Sequence, residues 1–189
     1  GASCGPVPGC NAFDDVPLGS ASRLALQFPL EERKTGVSLV DVWGKRKNGG
    51  QQIMSLIDWN AMSAPWLNAQ AGLEATHQVV LDGLMRRMGD LDGQRILDIG
   101  CGTGASLLAL ADAVGPTGYV TGVDIAPPLV ARARERAPDH VEVVVTDASA
   151  MPFPARHDAA LCLLGTMFFG DTRAAFAHIC KGMQPGARF

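Results

Sequence analysis

Charged and aromatic residues are scarce in this chain of 189 residues. Charged side chains make up 19% and aromatic side chains 6%, with a single Tyr. Hydrophobic residues reach 47%, so the low charge excludes a disordered, self-repelling polymer and leaves enough apolar surface for one packed domain. Sixteen Lys and Arg against 19 Asp and Glu give a net charge of -3. No run of basic residues is sustained, which argues against a nucleic-acid surface. No apolar run approaches the ~20 residues of a membrane-spanning helix. The five cysteines, Cys4, Cys10, Cys101, Cys162 and Cys180, are odd in number and widely spaced, so they make no disulfide framework. Cys4 and Cys10 have no second pair and no nearby His, and no metal site is expected. The first residues carry no basic segment followed by an apolar one. The expectation is a cytoplasmic protein without a membrane span.

The first fifty-odd residues differ from the rest. They are rich in Gly and Pro, contain GPVPG and KRKNGGQQ, and show few periodic apolar positions. Such composition buries too little to order itself. Residues 1–53 are therefore expected to be a disordered or non-native extension. One reading makes Met54 the biological start; the other makes the segment a flexible native extension. Residues 54–189 hold the expected domain. At the other end GMQPGARF stops just after a Pro-Gly turn, and the chain reads as truncated there.

From Arg95 onward strands and helices alternate. RILDIG is a short apolar run, and ASLLALADAV has apolar residues at helical spacing. YVTGVD reads as a second strand, PPLVARARERA as a helix with Pro in its first turn, VEVVVTD as a third strand and AALCLLG as a fourth. DTRAAFAHICKGM reads as a helix opened by an Asp cap. Apolar strands alternating with helices predict a parallel sheet covered on both faces. Upstream, Leu73, His77, Val80, Leu84 and Met88 fall on one stripe and predict a helix over about residues 68–89. His77 on that stripe reads as a hydrogen-bonded core or boundary residue. Arg132, Arg134 and Arg136 read as a solvated helix face.

The sharpest motif is Asp98-Ile99-Gly100-Cys101-Gly102-Thr103-Gly104-Ala105 between the first strand and the first helix that follows it. Glycines there let the backbone turn tightly and let a ligand approach the main chain. Gly100, Gly102 and Ala105 also satisfy the dinucleotide fingerprint. Three carboxylates decide between the two ligands. Asp98 would repel a pyrophosphate but suits a cation; Asp124 ends strand two, where an acid takes ribose hydroxyls; Asp147, followed by Ala148, ends strand three, within reach of an adenine amino group. Ribose, adenine and a cationic, phosphate-free tail describe S-adenosylmethionine.

LDIGCGTG, then GVDIA, then VTDASAMPFPARHDAAL resembles the class I S-adenosylmethionine-dependent methyltransferases. LLGTMFFGDTRAAFAHICKGMQPGARF is similar to the branch of the ubiquinone and menaquinone C-methyltransferases. The resemblance runs from about Trp59 to Phe189. It implies an α/β, Rossmann-like, doubly wound and mostly parallel sheet in the order 3-2-1-4-5-7-6, here incomplete, with strands 1–4 and the start of strand 5 at Ala187. It implies that Gly100, Cys101, Gly102 and Gly104 wrap the methionine part, with Asp98 near its ammonium. Asp124 would bind ribose, Ile125 pack on adenine, Asp147 and Ala148 meet the adenine edge, and Leu164 face the methionine side. The expected activity is in-line methyl transfer to a small-molecule acceptor. The alternatives are a nicotinamide-dinucleotide oxidoreductase using the same loop, or a non-catalytic fragment. Trp59 stands between a lid and simple packing, and Met167 to Phe169 point to an acceptor pocket. Cys101 reads as a small loop residue rather than a reactive thiol, and Cys162 and Cys180 as core residues. No general base is evident.

Overall fold

The computed structural model describes residues 57–152 and 156–189. The expectations for residues 1–53 and for a start at Met54 lie outside the described residues. Among the described residues two helices come first, α1 (Trp59–Asn68) and α2 (Gln70–Met88). The alternating part follows as β1 (Arg95–Ile99), α3 (Ala105–Val114), β2 (Tyr119–Asp124), α4 (Pro127–Arg136), β3 (Val141–Val145), β4 (His157–Leu161), α5 (Thr172–Ile179) and β5 (Met183–Arg188). Asp58 caps α1 through the N–H groups of Asn60 and Ala61, and Asp171 caps α5 through that of Ala174, each satisfying otherwise orphaned helix donors.

The five strands among the described residues are parallel, in the order β3-β2-β1-β4-β5. Adjacent residues of a strand face opposite sides, and the core divides accordingly. Ile96, Val120 and Val143 meet Leu107, Leu110 and Val130 of α3 and α4 on one face. Leu97, Ile99, Val123 and Ala160 meet Ile179 of α5 on the other. Gly122 lets α3 approach the sheet closely: a Cβ there would lie 2.6 Å from Leu107 Cδ1. The chain reverses its direction of travel across the sheet between β1 and β4, so the crevice for a ligand lies at their carboxyl ends.

Three boundaries differ from the sequence expectation. β5 begins at Met183 instead of Ala187 and pairs with β4, so β4 has a neighbour on each side. It runs through Pro185 and Gly186 because the register shifts between His157 and Ala159, and the left-handed Gly186 (φ 82°) falls inside that irregularity; such a bulge is a place where a strand tolerates Pro and Gly. β4 itself covers His157–Leu161 rather than running on to Gly165, because Leu164 turns the chain with φ 61°. The last helix gives way at Cys180 to one 3₁₀ turn and then to β5, which leaves Cys180 exposed. No helix among the described residues is long and apolar enough to cross a membrane.

Candidate functional site

A cavity of about 510 Å³ opens over the carboxyl ends of β1, β2 and β3 and beneath α1 and α2, a volume usual for small-molecule sites. Eight of the ten residues expected to hold the donor line it: Gly100, Cys101, Gly102, Asp124, Ile125, Asp147, Ala148 and Leu164. The parallel register explains the convergence, since each strand delivers its last residue to the same edge.

Asp98 and Gly104 are not on the cavity wall. Asp98 is fully buried behind the loop, with Oδ2 accepting from Ser106 Oγ at 2.7 Å and Oδ1 without a hydrogen-bond partner among the described residues. Burial raises its pKa to about 7, against the lowering effect of the Ser106 hydrogen bond and with the Asp124 charge adding to the rise. Gly104 is the left-handed residue before α3, and a Cβ on it would touch Ala133 of α4 at 3.4 Å. Its smallness serves helix packing.

The loop's main chain is already largely committed. The N–H groups of Gly100 and Cys101 donate to the Val123 carbonyl, and that of Gly102 donates to Asp124 Oδ2 at 2.9 Å. Asp124 Oδ1 accepts from the Ala126 N–H. Burial raises the Asp124 pKa, opposed by these backbone donors. A loop whose central N–H is spent on a carboxylate is poorly suited to a pyrophosphate. Gly102, at φ 53°, leaves open space where a Cβ would stand, so the wall there admits a ligand chain. At the far end Asp147 Oδ1 accepts from Ser149 N and Oγ, an Asx turn that holds the carboxylate at the end of β3. An amine-bearing nucleoside fits this donor set.

The other half of the cavity is aromatic. Trp59 packs edge-on against Phe168 at 4.7 Å and against Trp66 at 5.4 Å. Met167, Phe168 and Phe169 all line the wall, as the sequence suggested, and so does Trp59, which packs on the neighbouring rings. Cys101 is buried, and burial with the neighbouring Asp98 and Asp124 charges drives its thiol pKa up; it has no thiolate character.

Two groups escaped the sequence reading. His77 is half-buried on the cavity wall, beside Trp66 at 6.5 Å, with no hydrogen-bond partner among the described residues; the expected core hydrogen bond is not there. The arginines of α4 are not one solvated face. Positions two apart on a helix lie about 200° around the axis, so Arg134 points away from the other two and donates to the Val143 carbonyl at 2.8 and 2.6 Å. Arg132 donates to Gln70 Oε1 at 3.1 Å. Arg136 donates to Glu74 Oε1 at 2.6 Å and to the Thr103 carbonyl at 2.8 Å. Glu74 also accepts from Gln70 and Thr103. Burial raises its pKa, but the hydrogen bonds and the Arg136 charge outweigh that and leave it lowered. This clamp ties α2 to the glycine loop. The Arg spacing read as helical wheel positions, with Glu74 as an unassigned acid, was the available signal.

Residues 96–186 match the family described as "Methyltransferase domain". Aklanonic acid methyltransferase DauC of Streptomyces sp. strain C5 is 37% identical over 112 residues, which are 54% of this chain and 51% of that protein. Demethylmenaquinone methyltransferase of Lactococcus lactis is 34% identical over 109 residues, 55% of this chain and 43% of that protein. The chain spans about half the length of the curated relatives it matches. Among solved structures, the complex of a Haloferax volcanii methyltransferase with its activator matches with a TM-score of 0.61 at 24% identity, covering 74% of this chain and 59% of that one. That likeness concerns the fold.

Proposed function

We propose, from the premise that this chain carries a class I S-adenosylmethionine-dependent methyltransferase domain, that it methylates a small apolar acceptor in the cytoplasm. The domain assignment covers residues 54–189. Asp124 binds the donor's ribose hydroxyls, Asp147 and Ala148 meet the adenine edge, Ile125 packs on the ring, and Gly100 to Gly102 with Leu164 flank the methionine chain. The bound donor supplies an electrophilic methyl group on a sulfonium. The protein's part is to align the acceptor with that methyl and to exclude water, both of which lower the barrier to in-line displacement.

The observation that carries the proposal is the Gly102 N–H bonded to the Asp124 carboxylate on the cavity wall. A carboxylate in that place repels phosphate and disfavours a nicotinamide dinucleotide. The relatives act, by their names, on aklanonic acid and demethylmenaquinone, both consistent with the apolar half of the cavity. Calorimetry on the full chain tests the reading. S-adenosylhomocysteine should bind and NADH should not; NADH binding without nucleoside binding would reverse the assignment.

A further inference from the structure

We infer that His77 is the general base of this site and takes the proton of a phenol or enol hydroxyl on a planar, apolar acceptor. The inference rests on the methyltransferase reading proposed above. Of the four histidines, three are engaged in the fold. His140 Nε2 lies 3.2 Å from the Ala111 carbonyl, and His178 Nε2 lies 2.7 Å from that of Met151. His157 stands between the Gly182 carbonyl at 3.4 Å and the Thr121 hydroxyl at 3.3 Å. His77 alone among these has no such partner among the described residues, and it alone lines the cavity. A half-buried imidazole with neither nitrogen bonded loses water without compensation; an acceptor hydroxyl would complete it.

The placement of His77 is fixed from both sides. Leu73 and Leu81, four residues before and after it, share its face of α2 and line the same cavity. Glu74, three residues before it, is held by Arg136 and Thr103. The imidazole thus rides on a helix anchored to the glycine loop that flanks the donor. The carboxylates on the cavity wall are already spoken for, Glu74 by Arg136, Asp124 by two backbone N–H groups and Asp147 by Ser149, and the Cys101 thiol is held protonated by its burial. Trp66, Trp59 and Phe168 form a continuous run of rings next to His77. Such walls favour a flat aromatic molecule through stacked and edge contacts.

In the step this implies, a nitrogen of His77 takes the hydroxyl proton as the acceptor's electron pair forms the new bond to the methyl carbon. The methyl–sulfur bond breaks with its pair remaining on sulfur, which becomes a neutral thioether. The imidazolium then releases its proton to water at the cavity mouth. Charge and atoms balance without an oxidant or a metal.

The test uses the full chain, tritiated S-adenosylmethionine and two acceptors: 1-naphthol, a weak acid, and 2,4-dinitro-1-naphthol, already ionised at neutral pH. His77→Ala should slow methylation of 1-naphthol roughly a hundredfold, the scale of general-base catalysis, and slow the dinitro compound far less. His77→Gln, which keeps a polar group of similar reach, should not recover 1-naphthol, whereas added imidazole should restore part of the Ala variant's rate. Equal losses on both acceptors, or no loss on 1-naphthol, would show that His77 is not the base. A wild-type chain that binds S-adenosylhomocysteine but methylates neither naphthol would overturn this inference and leave the methyltransferase reading standing. Failure to bind S-adenosylhomocysteine would remove the reading beneath it.

Discussion

The two halves of the cavity are built from different materials. The proposed donor half consists of a glycine loop and two strand-end aspartates, Asp124 and Asp147, with Asp98 buried behind the loop, all arranged by the register of one parallel sheet. The acceptor half consists of side chains from α1, α2 and the segment after β4, brought together by packing between distant parts of the chain. On the proposed reading, binding in the first half falls to main chain and carboxylates, whose positions follow from the strands, and binding in the second to rings and one imidazole, whose positions follow from how two helices settle on the sheet. The Arg136–Glu74–Thr103 clamp joins them.

The largest effect expected in the donor half is a dependence of stability on pH. Asp98 titrates near 7 in the folded protein against an ordinary value of 3.8. Between those limits the native carboxyl keeps a proton that the unfolded chain has lost. Stability therefore falls as pH rises through about 4 to 7, by at most about 4 kcal/mol at ~1.4 kcal/mol per unit. The advantage of Asp98→Asn over the wild type in denaturant midpoint should grow as the pH is raised from 5 to 7.5. Parallel pH profiles for the two proteins would show that Asp98 ionises freely.

Asp124→Ala comes next. It removes the expected charge-assisted bonds to ribose and strands the N–H groups of Gly102 and Ala126. A loss of about 1.5–3 kcal/mol corresponds to roughly tenfold to over a hundredfold in affinity for S-adenosylhomocysteine. An unchanged dissociation constant by calorimetry, with the fold intact, would take Asp124 out of the site and with it the contrast between the halves.

The clamp should behave as a joint. A partly buried pair with additional hydrogen bonds is expected to show a coupling of about 1 kcal/mol in a double-mutant cycle of Arg136→Met and Glu74→Gln. Because Glu74 shares α2 with the acceptor wall while Arg136 also holds the Thr103 carbonyl, the Arg136 variant should weaken both nucleoside and acceptor binding. Weakening of only one would make the halves independent.

The legibility of the two halves in the sequence follows the same division. LDIGCGTG, Asp124 and Asp147 are local signals: each is a residue type at a strand end, and the strands themselves are short apolar runs. β5 was harder because Pro185 and Gly186 are strand breakers unless a bulge accommodates them, and bulges are set by the neighbouring strand. Arg132 and Arg136 looked like a charged surface because their partners, Gln70 and Glu74, are some sixty residues away. His77 fitted a core stripe on α2, and only the position of α2 over the cavity distinguishes a wall from a core. The donor half is written along the chain, whereas the acceptor half is written across it.

Leu164 tests the seam between the halves with the smallest expected effect. It is the non-glycine residue with positive φ among the described residues, at 61°, and the residue is 41% exposed on the cavity wall. A left-handed conformation costs an L-residue roughly 1–2 kcal/mol, and such strain is characteristic of binding sites. The turn is forced by its surroundings: the adjoining Gly165 sits so close that an added Cβ would lie 2.8 Å from Cys162 Sγ and 3.4 Å from the Ile99 carbonyl. Leu164→Ala and Leu164→Gly both delete the side chain from the cavity, but only Gly relieves the strain, and it also raises the entropy of the unfolded chain. The Gly variant should therefore be more stable than the Ala variant by a net of about 0.5–1 kcal/mol in denaturant melts, while both bind S-adenosylhomocysteine equally less well than the wild type. Equal stability of the two variants would mean that the turn is unstrained, and that Leu164 is held at the seam by its side chain alone.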